Sequence, residues 1–171
     1  QAQKVGGIGL YSECIPHWII SAPKFYVLAH VLWDTSRDPG KLLDRYLQLA
    51  YGEGATHTRA FIDRWYEIYR RRKPEELYQT SWGWRGPEQF EFLRRDDFIF
   101  MDAALKKASA AKLTEKQRKR LEYLDTYYQI MRVNGMEYLA SQELSNEKWL
   151  AESDDATILT IAEHTTSLTS R

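Results

Sequence analysis

The sequence predicts a mainly α-helical, bundle-like domain with one short strand near its N-terminal end. Three observations support this: apolar residues recur at helical spacing over most of the chain, N-cap, proline and glycine residues separate these runs, and only residues 8–11 have the pattern of a strand. A lone strand leaves its backbone groups without ladder partners. We therefore expect the chain to be the C-terminal part of a larger protein that supplies the remaining strands.

The composition is that of one folded domain. Of 171 residues, 43% are hydrophobic and 28% are charged, which is enough apolar material for a core. The 24 basic residues balance 24 acidic ones, and no apolar run approaches the roughly 20 residues that cross a bilayer. Cys14 has no Cys or His neighbours at metal-ligand spacing. We expect no nucleic-acid partner, no membrane partner, no metal and no cofactor.

The first two predicted helices are bounded by clear signals. Residues 23–34 form the first, with Pro23 in its first turn and apolar side chains at helical spacing. The second begins after the N-cap Asp38 with Pro39 and ends at Gly52. The apolar residues of the first helix are Phe25, Leu28, Ala29 and Leu32, and those of the second are Leu42, Leu43, Tyr46, Leu47 and Ala50.

A third helix is predicted over residues 55–72, where cations near its end complement the helix dipole and Pro74 stops it. The basic run 70–73 is interpreted as solvation of a helix end in preference to an anion-binding patch. The predicted buried face consists of Phe61, Ile62, Trp65, Tyr66 and Tyr69.

Two further helices follow a glycine-punctuated loop at residues 75–87. One runs from about 88 to 111, with a break considered at 94–97, and the longest runs over about 115–142 behind a capping box of Thr114 and Gln117. Its basic start, residues 116–120, is expected to pair with Glu115 and Glu122. One face of it carries Leu121, Leu124, Tyr128, Met131 and Tyr138, and Tyr123, Tyr127 and Ile130 widen the apolar surface sideways.

The chain is predicted to have three parts. Residues 1–22 hold the end of a barrel-like strand and its loop, residues 23–152 form the helical domain, and residues 153–171 form a weakly structured tail with a short helix considered at 156–164.

Two groups of side chains are candidates for a sugar site. Glu13 follows the predicted strand, where barrel enzymes present side chains to substrate, and Trp18 is a possible stacking platform beside His17. On residue preferences alone Glu13 is more often a solvated loop carboxylate, and Trp18 can equally cover the core. A glycoside hydrolase normally needs two flanking carboxylates, and neither Asp34 nor Asp38 pairs well with Glu13.

The second group is Trp82, Trp84 and Arg85 in the 75–87 loop. The indoles could stack on a sugar ring while the guanidinium binds a carboxylate. The alternative, that these tryptophans anchor the loop in grooves between helices, is favoured about two to one on general residue preferences. No nucleophile elbow, phosphate-binding glycine loop, zinc-binding helix motif or dinucleotide fingerprint is present in the sequence.

A succession of short motifs resembles a family of glycoside-hydrolase-like proteins related to alpha-glucuronidases. The motifs are Gly9-Leu10-Tyr11-Ser12-Glu13, Pro23-Lys24-Phe25-Tyr26-Val27, Leu32-Trp33-Asp34, Asp38, Leu42-Leu43-Asp44 and Tyr51-Gly52. The stretches 98–111 and 118–128 are similar to downstream helices of that family. The resemblance covers most of residues 9–140.

The resemblance implies that this region closes a (β/α)8 barrel and adds a helical C-terminal domain. It also implies action on, or binding of, complex polysaccharide, commonly by an exported bacterial protein, with Glu13 facing the barrel mouth beside Tyr11 and Trp18. The paired acids would lie in preceding strands that this chain lacks, so the isolated chain is expected to be inactive. The competing hypothesis is a helical interaction or scaffold module that docks onto another domain or subunit.

Overall fold

The computed structural model describes residues 18–71, 90–146, 151 and 153–161. Over these residues the backbone is mainly helical and contains no strand, which confirms the mainly α prediction. The strand predicted at residues 8–11 and the loop predicted at 75–87 lie outside the described residues. The chain divides into two compact units, Gln1–Leu43 and Asp44–Arg171.

Helix α1, Trp18–Trp33, begins earlier in the chain than the sequence predicts, so Pro23 lies inside the helix instead of in its first turn. Because proline has no backbone N–H, the carbonyl of Ile19 loses its usual helical donor. Predicted apolar positions of this helix differ in burial: Phe25 and Leu28 are half-buried, whereas Leu32 is exposed. The prediction of the helix was right and that of its start was wrong.

Helix α2, Pro39–Tyr51, has the predicted bounds and the predicted cap. The Asp38 Oδ1 atom accepts the backbone N–H of Lys41 at 2.9 Å. A 3₁₀ turn, Gly52–Gly54, follows the helix. Gly52 has a φ of +53°, a left-handed conformation that favours glycine, and a Cβ there would lie 2.8 Å from the side-chain oxygen of Gln117.

The described part of the second unit contains three long helices: α3, Ala55–Arg70; α4, Arg95–Ala110; and α5, Glu115–Leu144. Helix α4 packs against both α3 and α5. Phe61 of α3 meets Tyr128 of α5 edge to face, with ring centroids 5.2 Å apart. The backbone is helical again over 155–161. Among the buried core residues of this unit are Leu47, Tyr51, Ile68, Leu93, Phe98, Met101, Leu105, Ala108, Leu121 and Leu124.

The buried face of α3 is rotated from the predicted one. Phe61 is buried as predicted, but Tyr66 and Tyr69 are 37% and 56% exposed. Thr58 is fully buried, and its hydroxyl donates a hydrogen bond to the Gly54 carbonyl at 3.0 Å. Because this hydroxyl has a hydrogen-bond partner, a polar residue can lie on the buried face of the helix. The positions of the aromatic residues alone did not indicate this face. The buried residues of α3 are Ala55, Thr58, Phe61 and Ile68.

Helix α4 starts at Arg95, within the break that was considered at 94–97, because Arg94 is extended at φ −127° and ψ 154°. The described residues 90–94, which were predicted to be helical, are not α-helical. Helix α5 starts as predicted: the Thr114 N–H donates to Gln117 Oε1 at 3.0 Å, and the Gln117 N–H donates to Thr114 Oγ1 at 3.4 Å. The expected ion pair at this end is confirmed between Lys119 and Glu115 at 3.4 Å.

The predicted buried face of α5 is confirmed for Leu121, Leu124 and Tyr128, whereas Met131 and Tyr138 are half-buried. Farther along the same face Gly135 is buried. A Cβ at Gly135 would lie 2.6 Å from Phe98 Cζ and 2.9 Å from Leu93 Cδ1, so glycine is needed for this close approach.

Candidate functional site

The six residues that the sequence singles out for carbohydrate binding are not placed by the structure. Tyr11, Glu13, Trp82, Trp84 and Arg85 lie outside the described residues, and of Trp18 only the backbone, as the first residue of α1, is described. These assignments therefore remain predictions.

The described part of the second unit contains a shallow polar groove between α4 and α5, with a volume of about 370 Å³. Its residues lie on one stripe of each helix, at positions i, i+3, i+4 and i+7 of α4 and at i, i+4 and i+7 of α5. The lining residues are Asp102, Leu105, Lys106 and Ser109 from α4, and Asp125, Gln129 and Arg132 from α5.

Asp102 is the centre of a hydrogen-bonded cluster along this groove. Its Oδ1 accepts the Tyr128 hydroxyl at 2.8 Å, and its Oδ2 accepts Arg132 Nε at 3.0 Å. Burial raises the pKa of the Tyr128 phenol, and so does its hydrogen bond to Asp102. The phenol therefore stays protonated at neutral pH and acts as a donor. The Tyr128 and Asp102 contacts fix the orientation of the Arg132 guanidinium.

Several polar groups of the groove have donors or acceptors without a described hydrogen-bond partner. Gln129 Nε2 donates to Asp125 Oδ1 at 3.0 Å, which leaves the amide oxygen of Gln129 and the second oxygen of Asp125 without a described donor. Lys106 and Ser109 are exposed. Among the described residues neither Lys106, nor Ser109, nor the terminal nitrogens of Arg132 have a hydrogen-bond partner.

A second charged cluster surrounds Asp97, whose side chain is 1% exposed. Two nitrogens of Arg71 donate to its two oxygens at 2.6 and 2.8 Å, and the backbone N–H of Arg94 donates at 2.9 Å. Burial alone would raise the pKa of Asp97, but the hydrogen bonds from Arg71 and Arg94 and the charges of Arg71 and Arg64 outweigh it and lower that pKa. Asp97 is thus a charged, saturated carboxylate in the core.

Arg64 completes this cluster from α3. Its Nη1 lies 3.6 Å from Asp97 and 3.4 Å from Glu67, and its guanidinium lies 4.4 Å from the ring centroid of Phe100. Arg64 Nε is buried and has no hydrogen-bond partner. The geometry is that of a cation held by a carboxylate and an aromatic face, which is a structural arrangement between α3 and α4.

Four described acids have a lowered pKa. Hydrogen bonds lower the pKa of Asp34, of Asp38, of Asp97 and of Asp154, so these carboxyls are charged at neutral pH. The described residues contain no group of three or more His, Cys, Asp or Glu that could hold a metal. Within the same part of the chain, no helix has the length and apolarity of a membrane span.

Sequence reasoning missed both charged clusters. The groove has a signal in the sequence, because Asp102, Lys106 and Ser109 share one helical stripe and Asp125, Gln129 and Arg132 share another. The Asp97 cluster has a weaker signal in the sequence, which is an acidic residue three positions after a helix N-cap. Neither pattern indicates its partner helix.

Comparisons with known proteins add no relative. No protein-family model, no curated protein and no solved structure matches this chain.

Proposed function

We propose that this chain is the C-terminal helical portion of a glycoside-hydrolase-like protein that acts on or binds complex carbohydrate, and that it is not catalytically complete alone. Glu13, with Tyr11 and Trp18, contributes to a sugar cleft completed by other chain segments. Trp82, Trp84 and Arg85 are further carbohydrate contacts.

One observation supports this proposal: three of the six motifs on which the resemblance depends, those at Leu32–Asp34, Asp38 and Tyr51–Gly52, fall at helix ends. Helix α1 ends at Trp33, Asp38 caps α2, and α2 ends at Tyr51 before the left-handed Gly52. Motifs that coincide with helix ends are constrained by local structure, so their order along the chain reflects an order of elements.

The lowered pKa values remove four described acids as candidates for the catalytic proton donor. Glycoside hydrolysis needs one carboxyl that holds its proton near neutral pH and a second carboxylate across the scissile bond. Each described acid with a shifted pKa is shifted downward, so none of these four serves as that proton donor.

The test is binding and hydrolysis of a panel of oligosaccharides by the full chain. We expect binding without hydrolysis, and at least tenfold weaker binding, about 1.4 kcal/mol, in Trp82→Ala or Trp84→Ala. Trp33→Ala is the matched control, because the Trp33 side chain is 90% exposed. Absence of binding by the unmodified chain, or an equal loss in the control, would contradict the proposal.

A second candidate function is a helical interaction module that docks onto another subunit. The observation that favours it is a stripe on α5 at i, i+4 and i+7, in which Tyr123 and Ile130 are 67% and 61% exposed and Tyr127 lies between them. Self-association through this stripe predicts that Ile130→Glu reduces dimer content in sedimentation velocity, whereas Arg118→Glu, exposed on the opposite side of α5, leaves it unchanged. A monomer at all concentrations would contradict self-association.

A further inference from the structure

We propose that the groove between α4 and α5 binds a short, uncharged stretch of glycan chain. This inference rests on the proposed function for its ligand class, but it assigns a site separate from the residues predicted from the sequence. The site consists of Lys106, Ser109, Asp125, Gln129 and Arg132, supported by Asp102 and Tyr128.

The charge of the groove favours an uncharged ligand. Two cations, Lys106 and Arg132, are balanced by two carboxylates, Asp102 and Asp125. An anionic ligand would gain from the cations but would also lie near both carboxylates, and a cationic ligand would meet the opposite difficulty. A neutral, hydrogen-bonding ligand avoids both costs.

The arrangement of donors and acceptors fits neighbouring hydroxyl groups. Each hydroxyl of a sugar both donates and accepts a hydrogen bond. The ammonium of Lys106 and the terminal nitrogens of Arg132 offer donors, while the carboxylate of Asp125 and the amide oxygen of Gln129 offer acceptors. Leu105 also lines the groove but is buried in the core, so the contacts that the groove offers a ligand are mainly polar.

The dimensions limit the ligand to a short segment. Residues seven apart on a helix are separated by about 10 Å along its axis, at roughly 1.5 Å per residue, which accommodates about two sugar rings. The volume of about 370 Å³ is near the lower end of small-molecule sites.

One of the donors is already oriented. Asp102 holds Arg132 through its Nε atom at 3.0 Å, and Tyr128 holds Asp102 at 2.8 Å. The terminal nitrogens of Arg132 therefore reach the groove from a fixed guanidinium, which lowers the entropy lost when a ligand binds.

The experiment is an NMR titration of the ¹⁵N-labelled full chain with neutral di- and tetrasaccharides and with a uronate-bearing oligosaccharide of equal length. We expect shift changes on α4 and α5 amides around the groove, and at least tenfold weaker binding in Lys106→Met and in Gln129→Leu. The matched control is Lys107→Met, an exposed lysine one residue along α4 and outside the groove lining. These substitutions keep the Asp102, Tyr128 and Arg132 contacts.

The outcomes separate the groove from the proposed function. Neutral glycan bound equally well by all three variants would overturn the groove and leave the carbohydrate proposal standing. Tighter binding of the uronate-bearing ligand through Lys106 would overturn the uncharged ligand class. Absence of any glycan binding by the unmodified chain would overturn both proposals.

Discussion

The Asp97 and Asp102 clusters pair the same chemical groups in opposite surroundings. The Asp97 side chain is 1% exposed and accepts from Arg71 and the Arg94 backbone, whereas the Asp102 side chain is 38% exposed and accepts from Tyr128 and Arg132. In the first cluster the acceptor atoms are saturated and shielded from water. In the second, the arginine keeps donors at an open surface. Exposure to solvent therefore decides whether an arginine–aspartate pair only holds two helices together or also leaves hydrogen-bonding groups for a ligand.

The largest expected effect comes from Asp97→Ala. It leaves Arg71 and Arg64 without their shared carboxylate and removes the acceptor for the Arg94 N–H. Removing one partner of a buried pair typically costs about 3–5 kcal/mol, and we expect about 3 kcal/mol because both arginines reach solvent. Urea denaturation measures it, with the exposed neighbour Asp96→Ala as control. A loss of unfolding free energy below about 1 kcal/mol would show that the Asp97 cluster does not stabilise the fold.

The pH dependence of stability sharpens the same contrast. The pKa of Asp97 is lowered in the folded state, so its contribution is fully present above the unfolded pKa of about 3.9 and is lost as pH falls through the folded pKa. We expect the unmodified protein to lose more free energy of unfolding than Asp97→Asn when the pH falls from 5 to 2. Urea denaturation across that range measures the difference. Parallel curves for the two proteins would contradict the assignment.

A smaller effect is expected from Tyr128→Phe. The substitution keeps the ring contact with Phe61 but removes the hydroxyl that donates to Asp102. The expected loss is about 1 kcal/mol, the usual net value of one hydrogen bond. Thermal unfolding is the measurement, and Tyr123→Phe, with an exposed ring, is the control. Equal melting temperatures for the two variants would mean that the Asp102 cluster does not stabilise the fold.

The smallest effect is expected from Arg132→Met, which removes the ion pair at the groove. Because both side chains are more than a third exposed, water screens the charges, and the loss should be under about 1 kcal/mol. Urea denaturation in low and in high salt measures the contribution of this ion pair. The control is Arg118→Met, which removes an exposed arginine of the same helix. A loss as large as that of Asp97→Ala would remove the distinction between the two clusters.

Local signals predicted the helix ends well where a side chain caps the backbone. Asp38 and Thr114 each accept a backbone N–H within three residues, so their effect is written in neighbouring sequence. The sequence left it open whether α4 begins near residue 88 or after a break at 94–97. The deciding contact, from the Arg94 N–H to Asp97, belongs to a carboxylate that also accepts from Arg71 of another helix. The predicted sugar-binding residues remain predictions.

Apolar spacing, helix caps and glycine act over a few residues. They were therefore enough to predict that the protein is mainly helical, where α2 begins and ends, and where α5 begins. Tertiary structure alone decided which face of α3 is buried, why Gly135 must be glycine, and which arginine meets which carboxylate. The reason is physical: burial and ion pairing depend on atoms that are distant in sequence, such as Arg71 and Asp97 or Asp102 and Arg132, and no local pattern specifies the distance between them.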